Sequence, residues 1–273
     1  MIDIQTFYDE HPINEAEILS KLQEAGKSLD TLTPADLYPY DQDHYGGLAA
    51  NDALATALQL SDKDHVIDLC SGMGGPARYL AAHYGCRVHG VDLNQSRVNG
   101  ATRLTGRVGL AEQVTFSQGD VTKLEMPGRF DAVISQEAFL HIPNKEKLLA
   151  VCFAMLRHGG RLGFTDWTAA STLTTMHRQR FATTFAAERI LSIDEYHALL
   201  ADTGFVDIQT DDLSAQWREI LHGRLEMFRS LESETVRRFG QVRHDTYITN
   251  YEFFVERIDA GDLGGVRVIV KRP

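Results

Sequence analysis

The chain has 273 residues, 27 Lys and Arg against 38 Asp and Glu, and a formal net charge of −11, with ordinary apolar (43%) and charged (24%) fractions. That length buries a full core, as one large α/β domain or a domain with an appendage, and the composition excludes disorder as the theme. The acidic balance argues against a nucleic-acid partner, because polyphosphate binding needs clustered cations that displace counterions.

No stretch approaches the roughly 20 apolar residues that span a bilayer, so no membrane partner is expected. The acidic start MIDIQTFYDEHP lacks the basic region and apolar run of a secretory signal, and a cytoplasmic protein is expected. Cys70, Cys86 and Cys152 have no paired spacing, so they read as reduced thiols rather than a disulfide framework or a zinc site.

In chain order, residues 14–25 read as an amphipathic helix, with Asn14 as N-cap, Glu17 completing a capping-box pattern and Gly26 as the stop. LTPADLYPYDQDHYGG (32–47) reads as a turn-rich connector, a flap rather than a core element. A helix follows from Gly47 to about Gln59. The periods then alternate: strand 65–69, helix 76–84, strand 87–92, helix 95–109, strands 113–118 and 130–135, helix 144–157 and strand 161–167, with Gly159 and Gly160 separating the last two. Ser192 and Glu195 cap a helix over 193–203, and a strand over 205–211 follows. In the last 60 residues Trp217, Ile220, Leu221, Leu225, Phe228 and Leu231 recur at helical spacing, a second helix holds Phe253, Phe254 and Ile258, and VRVIV (266–270) reads as a terminal strand.

This pattern predicts an α/β fold, a doubly wound and mostly parallel seven-stranded sheet with helices on both faces. Residues 1–46 form an N-terminal helix and flap. Residues 47–273 form the main domain, in which 170–190 and 214–261 are helical insertions that cover the substrate. Oligomeric state has no signature in the sequence, and a homodimer stays open.

VIDLCSGMGGPARYLA (66–81) reads as strand, glycine turn and helix. Gly72 and Gly74 let the backbone approach a ligand, and the first helical amides offer unpaired N–H groups to it. The spacing Gly72, Gly74, Ala77 also satisfies the dinucleotide pattern G-x-G-x-x-A, which leaves a dehydrogenase open. Ligands of such sheets bind beyond the carboxyl ends of the strands. The candidate residues are therefore Asp68, Ser71, Gly72 and Gly74; Asp92 and Leu93 of VDLN; Asp120 and Val121 of GDV; and Gln136 of SQEAFLH. Asp92, 20 residues after Gly72, can accept both hydroxyls of a ribose, and Asp120 can accept from an adenine amino group. Asp68 tilts the choice of ligand. A carboxylate there faces an ammonium readily and repels a pyrophosphate, which favours S-adenosylmethionine, with S-adenosylhomocysteine as product.

The ordered series VIDLCSGMGGPARYLA, VDLN, GDV, FDAVISQEAFLHI and GGRLGFTDW, over roughly residues 45–170, resembles the Rossmann-like S-adenosylmethionine-dependent methyltransferases. SQEAFLHIPNKEKLL is most similar to the sarcosine/dimethylglycine and phosphoethanolamine methyltransferases, which methylate small amines. The resemblance maps an acidic residue and a histidine of those families onto Glu137 and His141, and a tyrosine of an N-terminal flap onto Tyr45, with His44 beside it.

His141 is suited to take a proton from the acceptor, with Glu137 one helical turn back on the same face to orient it or pair with a substrate cation. Tyr45 can hydrogen-bond His141 or the substrate. Tyr38, Tyr40, Trp167, Phe181, Trp217, Tyr247 and Tyr251 could wall a methylated ammonium, but most read as core, Trp217 included. Arg178, Arg180 and Lys271 could hold an anion, although single basic residues are usually solvated. Asp36, Asp41 and Asp43 lie in a turn-prone segment where aspartate is common, and no metal is expected. The expected activity is methyl transfer to an amine nitrogen of a small molecule. Carbon or oxygen methylation of a secondary metabolite, and a non-catalytic cofactor-binding protein, are the alternatives.

Overall fold

The computed structural model describes residues 4–9 and 13–273. Residues 1–3 and 10–12, part of the segment read as lacking a secretory signal, lie outside the described residues. Three short elements lead in: α1 (Ile4–Asp9), α2 (Glu15–Glu24) and α3 (Pro34–Asp41). The sheet region follows as α4 (Gly47–Ala57), β1 (His65–Leu69), α5 (Gly75–Tyr84), β2 (Arg87–Asp92), α6 (Gln95–Arg107), β3 (Val114–Gln118), β4 (Phe130–Gln136), α7 (Lys145–Met155) and β5 (Leu156–Ala169). The chain closes with α8 (Thr175–Thr184), α9 (Ile193–Thr203), β6 (Val206–Asp212), α10 (Ser214–Ser230), α11 (Glu232–Phe239), α12 (Gln241–Asp259) and β7 (Leu263–Lys271).

The seven strands order as β3-β2-β1-β4-β5-β7-β6, and only β7 runs antiparallel to its neighbours. Alternation along the strands feeds two cores. Val66, Val88, Ala132 and Ile134 pack beneath α4 and α5, while Ile67, Leu69, Val91 and Val133 pack against α7 and α9. Strand order reverses between β1 and β4, so their carboxyl ends flank the crevice where such sheets bind ligands. A third, aromatic cluster joins Trp167 and Trp217 to residues of α8, α10 and α12 above that crevice.

Local signals placed most boundaries. The Asn14 side chain accepts from the Glu17 amide at 3.1 Å, and Ser192 and Glu195 cap each other as their spacing implies. Residues 34–41 and the Gly159–Gly160 pair differ from the local signals. Residues 34–41 form α3, a helix within the core and not a turn-rich flap: Pro34 opens it, and the Asp36 carboxylate accepts from the Thr33 amide at 2.8 Å and its hydroxyl at 2.7 Å. Leu37 is completely buried, and this tertiary burial overrides a local composition of Pro, Tyr and Asp. Gly159 and Gly160 lie inside β5 and do not precede it. Leu156 already pairs with Phe130, and the glycines form a bulge before Arg161 pairs with Ala132. No helix among the described residues is long and apolar enough to cross a membrane.

α3 is tied down by an ion pair out of water. Arg78 Nη2 on α5 donates to Asp41 Oδ2 at 2.8 Å, with both side chains at most 1% exposed, and Arg78 Nη1 donates to Thr105 Oγ1 at 3.1 Å. A Cβ on Gly75 would stand 2.1 Å from the Asp41 carbonyl oxygen, so α3 rests directly on the start of α5. Removing one partner of a buried pair strands the other. Asp41→Ala should therefore lose about 3–5 kcal/mol in urea unfolding, whereas a loss of about 1 kcal/mol would mean that the pair behaves as a surface one.

Candidate active site

The carboxyl ends of β1, β2 and β4, with the turn after β3, form the floor of a cavity of about 980 Å³, roofed by α1, α10 and α12. Asp68, Ser71, Gly72, Asp92, Leu93, Asp120, Val121, Gln136, Glu137, His141 and Tyr45 all line it. Gly74 does not.

Asp92 braces the glycine loop to β2: its Oδ2 accepts from the Gly72 amide at 2.8 Å and its Oδ1 from the Asn94 amide at 2.9 Å. Gly72 and Gly74 both hold positive φ, 53° and 78°, which side chains resist. The reason at Gly74 is internal packing and not access for a ligand, since a Cβ there would stand 2.4 Å from Phe116 Cζ. Asp120 turns its carboxylate to its own chain, accepting from the Thr122 amide at 2.9 Å and hydroxyl at 2.7 Å and pairing with Lys123. It shapes the turn that presents Val121. Three buried polar atoms of the floor, Asp68 Oδ2, Ser71 Oγ and Gln136 Oε1, find no partner among the described residues. Burial pushes the Asp68 carboxyl up to about 8, with Asp92 adding to the effect.

Glu137 does not stand on a helix face with His141. It takes φ 53° directly after β4, donates its amide to the Thr165 carbonyl at 2.8 Å, and turns the chain into a 3₁₀ turn over Phe139–His141. Both its carboxylate oxygens accept from the Tyr45 amide at 2.9 Å. Burial pushes this carboxyl up to about 8 against the opposing pull of that amide and of Arg224. Arg224 reaches in from α10, donating to the His44 carbonyl at 3.1 Å with its guanidinium carbon 4.4 Å from the Tyr45 ring centre.

His141 is bonded through both ring nitrogens. Nδ1 meets the Ala186 carbonyl at 3.0 Å, and a carbonyl only accepts, so Nδ1 carries the proton. In the neutral ring Nε2 then accepts from the Tyr8 hydroxyl at 3.0 Å. Burial pushes the Tyr8 phenol well up, which keeps it a donor. The tyrosine at His141 is thus Tyr8 of α1. Tyr45 instead bonds Glu137 through its backbone and packs its ring on Trp167 and Trp217, with centroids 5.6 and 5.1 Å away.

The turn that carries His141 rests on buried charges. Lys145 Nζ donates to the carbonyls of Phe139 and Ile142, while Asp166 accepts from the Leu140 amide at 3.1 Å and from the Tyr196 hydroxyl. Lys145, Asp166 and Tyr196 are fully buried, and burial brings the lysine down to about 8 and the aspartate up to about 6. Phe181 and Trp217 are core, Arg178 donates to the Ile190 carbonyl, and Arg180 stacks over Phe253. Asp36, Asp41 and Asp43 pair separately with Lys27, Arg78 and Arg97. Trp167, Tyr247 and Tyr251 do line the cavity.

Residues 66–160 match the family described as a methyltransferase domain. The chain is 27% identical over 199 residues, 72% of its length and 74% of the relative, to the phosphoethanolamine N-methyltransferase of Plasmodium falciparum. It is 33% identical over 161 residues, 58% of its length and 57% of the relative, to the sarcosine/dimethylglycine N-methyltransferase of Halorhodospira halochloris. Several relatives are longer, and the chain spans 43% of the phosphoethanolamine N-methyltransferase of Triticum aestivum. Among solved structures, phosphoethanolamine N-methyltransferase 2 of Haemonchus contortus, in complex with phosphomonomethylethanolamine and S-adenosylhomocysteine, superposes with a TM-score of 0.80 at 21% identity, over 100% of this chain and 61% of that one. The three unpartnered floor atoms suit the polar groups of such a donor. Residues 66–160 are thus similar to a methyltransferase domain, and the sheet order and glycine loop around them are those of a Rossmann-like fold.

Proposed function

We propose that this chain methylates the amine nitrogen of a small acceptor that also carries an anionic group, of glycine-derived or ethanolamine type. The observation that carries this reading is the placing of Glu137 and Arg224, a carboxyl that an ammonium would ionise and a guanidinium, facing one cavity beside His141 and Tyr8. An acceptor with an ammonium at one end and a carboxylate or phosphate at the other complements that pair. Its relatives named for phosphoethanolamine and sarcosine/dimethylglycine support the same class.

Asp68, Ser71, Gly72, Asp92, Leu93, Asp120, Val121 and Gln136 would hold the donor on the floor, with Gly74 fixing the turn. S-adenosylmethionine supplies a methyl group on a sulfonium. The chain's own work is alignment, exclusion of water and removal of one proton from the acceptor nitrogen. Glu137 and Arg224 fix the two ends of the acceptor. Tyr8 and His141 form the proton path: Nε2 accepts from the phenol, so a proton taken up by the phenol oxygen passes to the ring. The segments read as insertions, 170–190 and 214–261, contribute α8 and α10 to α12 as the cover of the acceptor.

Incubation with S-adenosylmethionine and a pool of sarcosine, dimethylglycine and phosphoethanolamine, read by mass spectrometry, should yield an N-methylated product; methylation confined to carbon or hydroxyl acceptors in a cell extract would overturn the acceptor class and leave the donor standing. His141→Ala should lower kcat by about a hundredfold, and Tyr8→Phe by about tenfold, with S-adenosylhomocysteine affinity unchanged in calorimetry. Equal losses of turnover and donor affinity would remove the proton role.

A further inference from the structure

Arg97 stands in the first turn of α6, five residues beyond Asp92, and is 5% exposed. Its Nη2 donates to Asp43 Oδ2 at 2.8 Å, and its guanidinium carbon lies 4.8 Å from the ring centre of Tyr8. A Cβ on Gly72 would meet that same Nη2 at 2.8 Å, so the guanidinium presses directly on the glycine loop. The charge is sandwiched between the floor and α1, and it lines the cavity. Two of its nitrogens, Nε and Nη1, have no partner among the described residues.

A guanidinium carries five N–H donors, and donors left unmet out of water are unfavourable. The Asp43 side chain is 36% exposed, so water screens it and it offsets only part of the buried charge. On the same floor Asp68 Oδ2 is a buried acceptor without a donor among the described residues. Unmet donors on α6 and an unmet acceptor on β1 therefore flank one glycine loop. Both residues line the same cavity, and their opposite chemistry complements the two charged ends of an α-amino acid.

We infer that Arg97 binds the α-carboxylate at the amino-acid end of the methyl donor, while Asp68 receives its α-ammonium. The inference rests on the donor assignment and is independent of the acceptor. Arg97 is therefore a donor-binding residue outside the strand-end motifs, and its stacking on Tyr8 links a filled donor site to the roof and to the Tyr8–His141 pair.

The test compares two ligands by calorimetry, S-adenosylhomocysteine and 5′-methylthioadenosine, which keeps the adenosine and lacks the amino acid. Arg97→Met should weaken S-adenosylhomocysteine by about tenfold to a hundredfold, the range of one charge-assisted contact, and leave 5′-methylthioadenosine within about twofold. Arg97→Lys keeps the charge without the planar fork and should lose less on the first ligand and nothing on the second; it carries the comparison if the methionine variant fails to fold. Equal weakening of both ligands, as a ribose contact or a disturbed loop would give, overturns the inference, as does unchanged S-adenosylhomocysteine affinity. Parent protein that binds no S-adenosylhomocysteine would instead overturn the donor assignment itself.

Discussion

Carboxylates buried near the carboxyl ends of the central strands are the constraint around which the site is built. Asp68 in β1, Glu137 after β4 and Asp166 in β5 are each removed from water, and burial pushes all three up, to about 8, 8 and 6. Their surroundings answer this differently. Asp166 accepts from an amide and a phenol and feels Lys145, so it serves the turn beneath His141. Glu137 accepts from one amide and feels Arg224. Asp68 keeps an oxygen with no donor among the described residues. Asp68 and Glu137 line the cavity, and Asp166 does not.

The same contrast separates floor from roof. The floor is held by buried pairs such as Asp41–Arg78 and by backbone bonds to Asp92. α11, which adds Phe239 to the cavity wall, is by comparison fixed to α2 by partly exposed ion pairs, Arg238–Glu17 at 2.7 Å and Lys21–Glu234 at 2.6 Å. Pairs of that kind contribute little each and weaken with salt. A rigid floor under a weakly tied cover suits a site that must admit two substrates and then exclude water.

Much of the floor was legible in the sequence because its signals are local. Strand periods, caps and the glycine turn place Asp68, Ser71, Gly72, Asp92, Leu93, Val121 and Gln136 on the cavity wall without reference to distant chain. What escaped depends on contacts far apart in sequence. Tyr8 lies 133 residues from the His141 it bonds, and nothing in IQTFYD marks it as more than an aromatic in a short helix. Arg224 sits in a helical tail without a motif. α3 is a helix because Leu37 and Asp41 find burial and a guanidinium on other elements. The left-handed turn at Glu137 cannot be read from period, since SQEAFLH suits a helix start equally well, and this one backbone conformation redirects Glu137 toward Tyr45.

Binding of S-adenosylhomocysteine at pH 7, followed by calorimetry in buffers of different ionisation enthalpy, tests the central claim most directly. A carboxyl pushed up to about 8 is largely protonated at that pH, and an ammonium set against it favours the charged form. The account predicts release of about one proton on binding, absent in Asp68→Asn. A binding heat that does not change with buffer would show that Asp68 is already ionised in the free protein, and would contradict the view that buried, unmet carboxylates define this site.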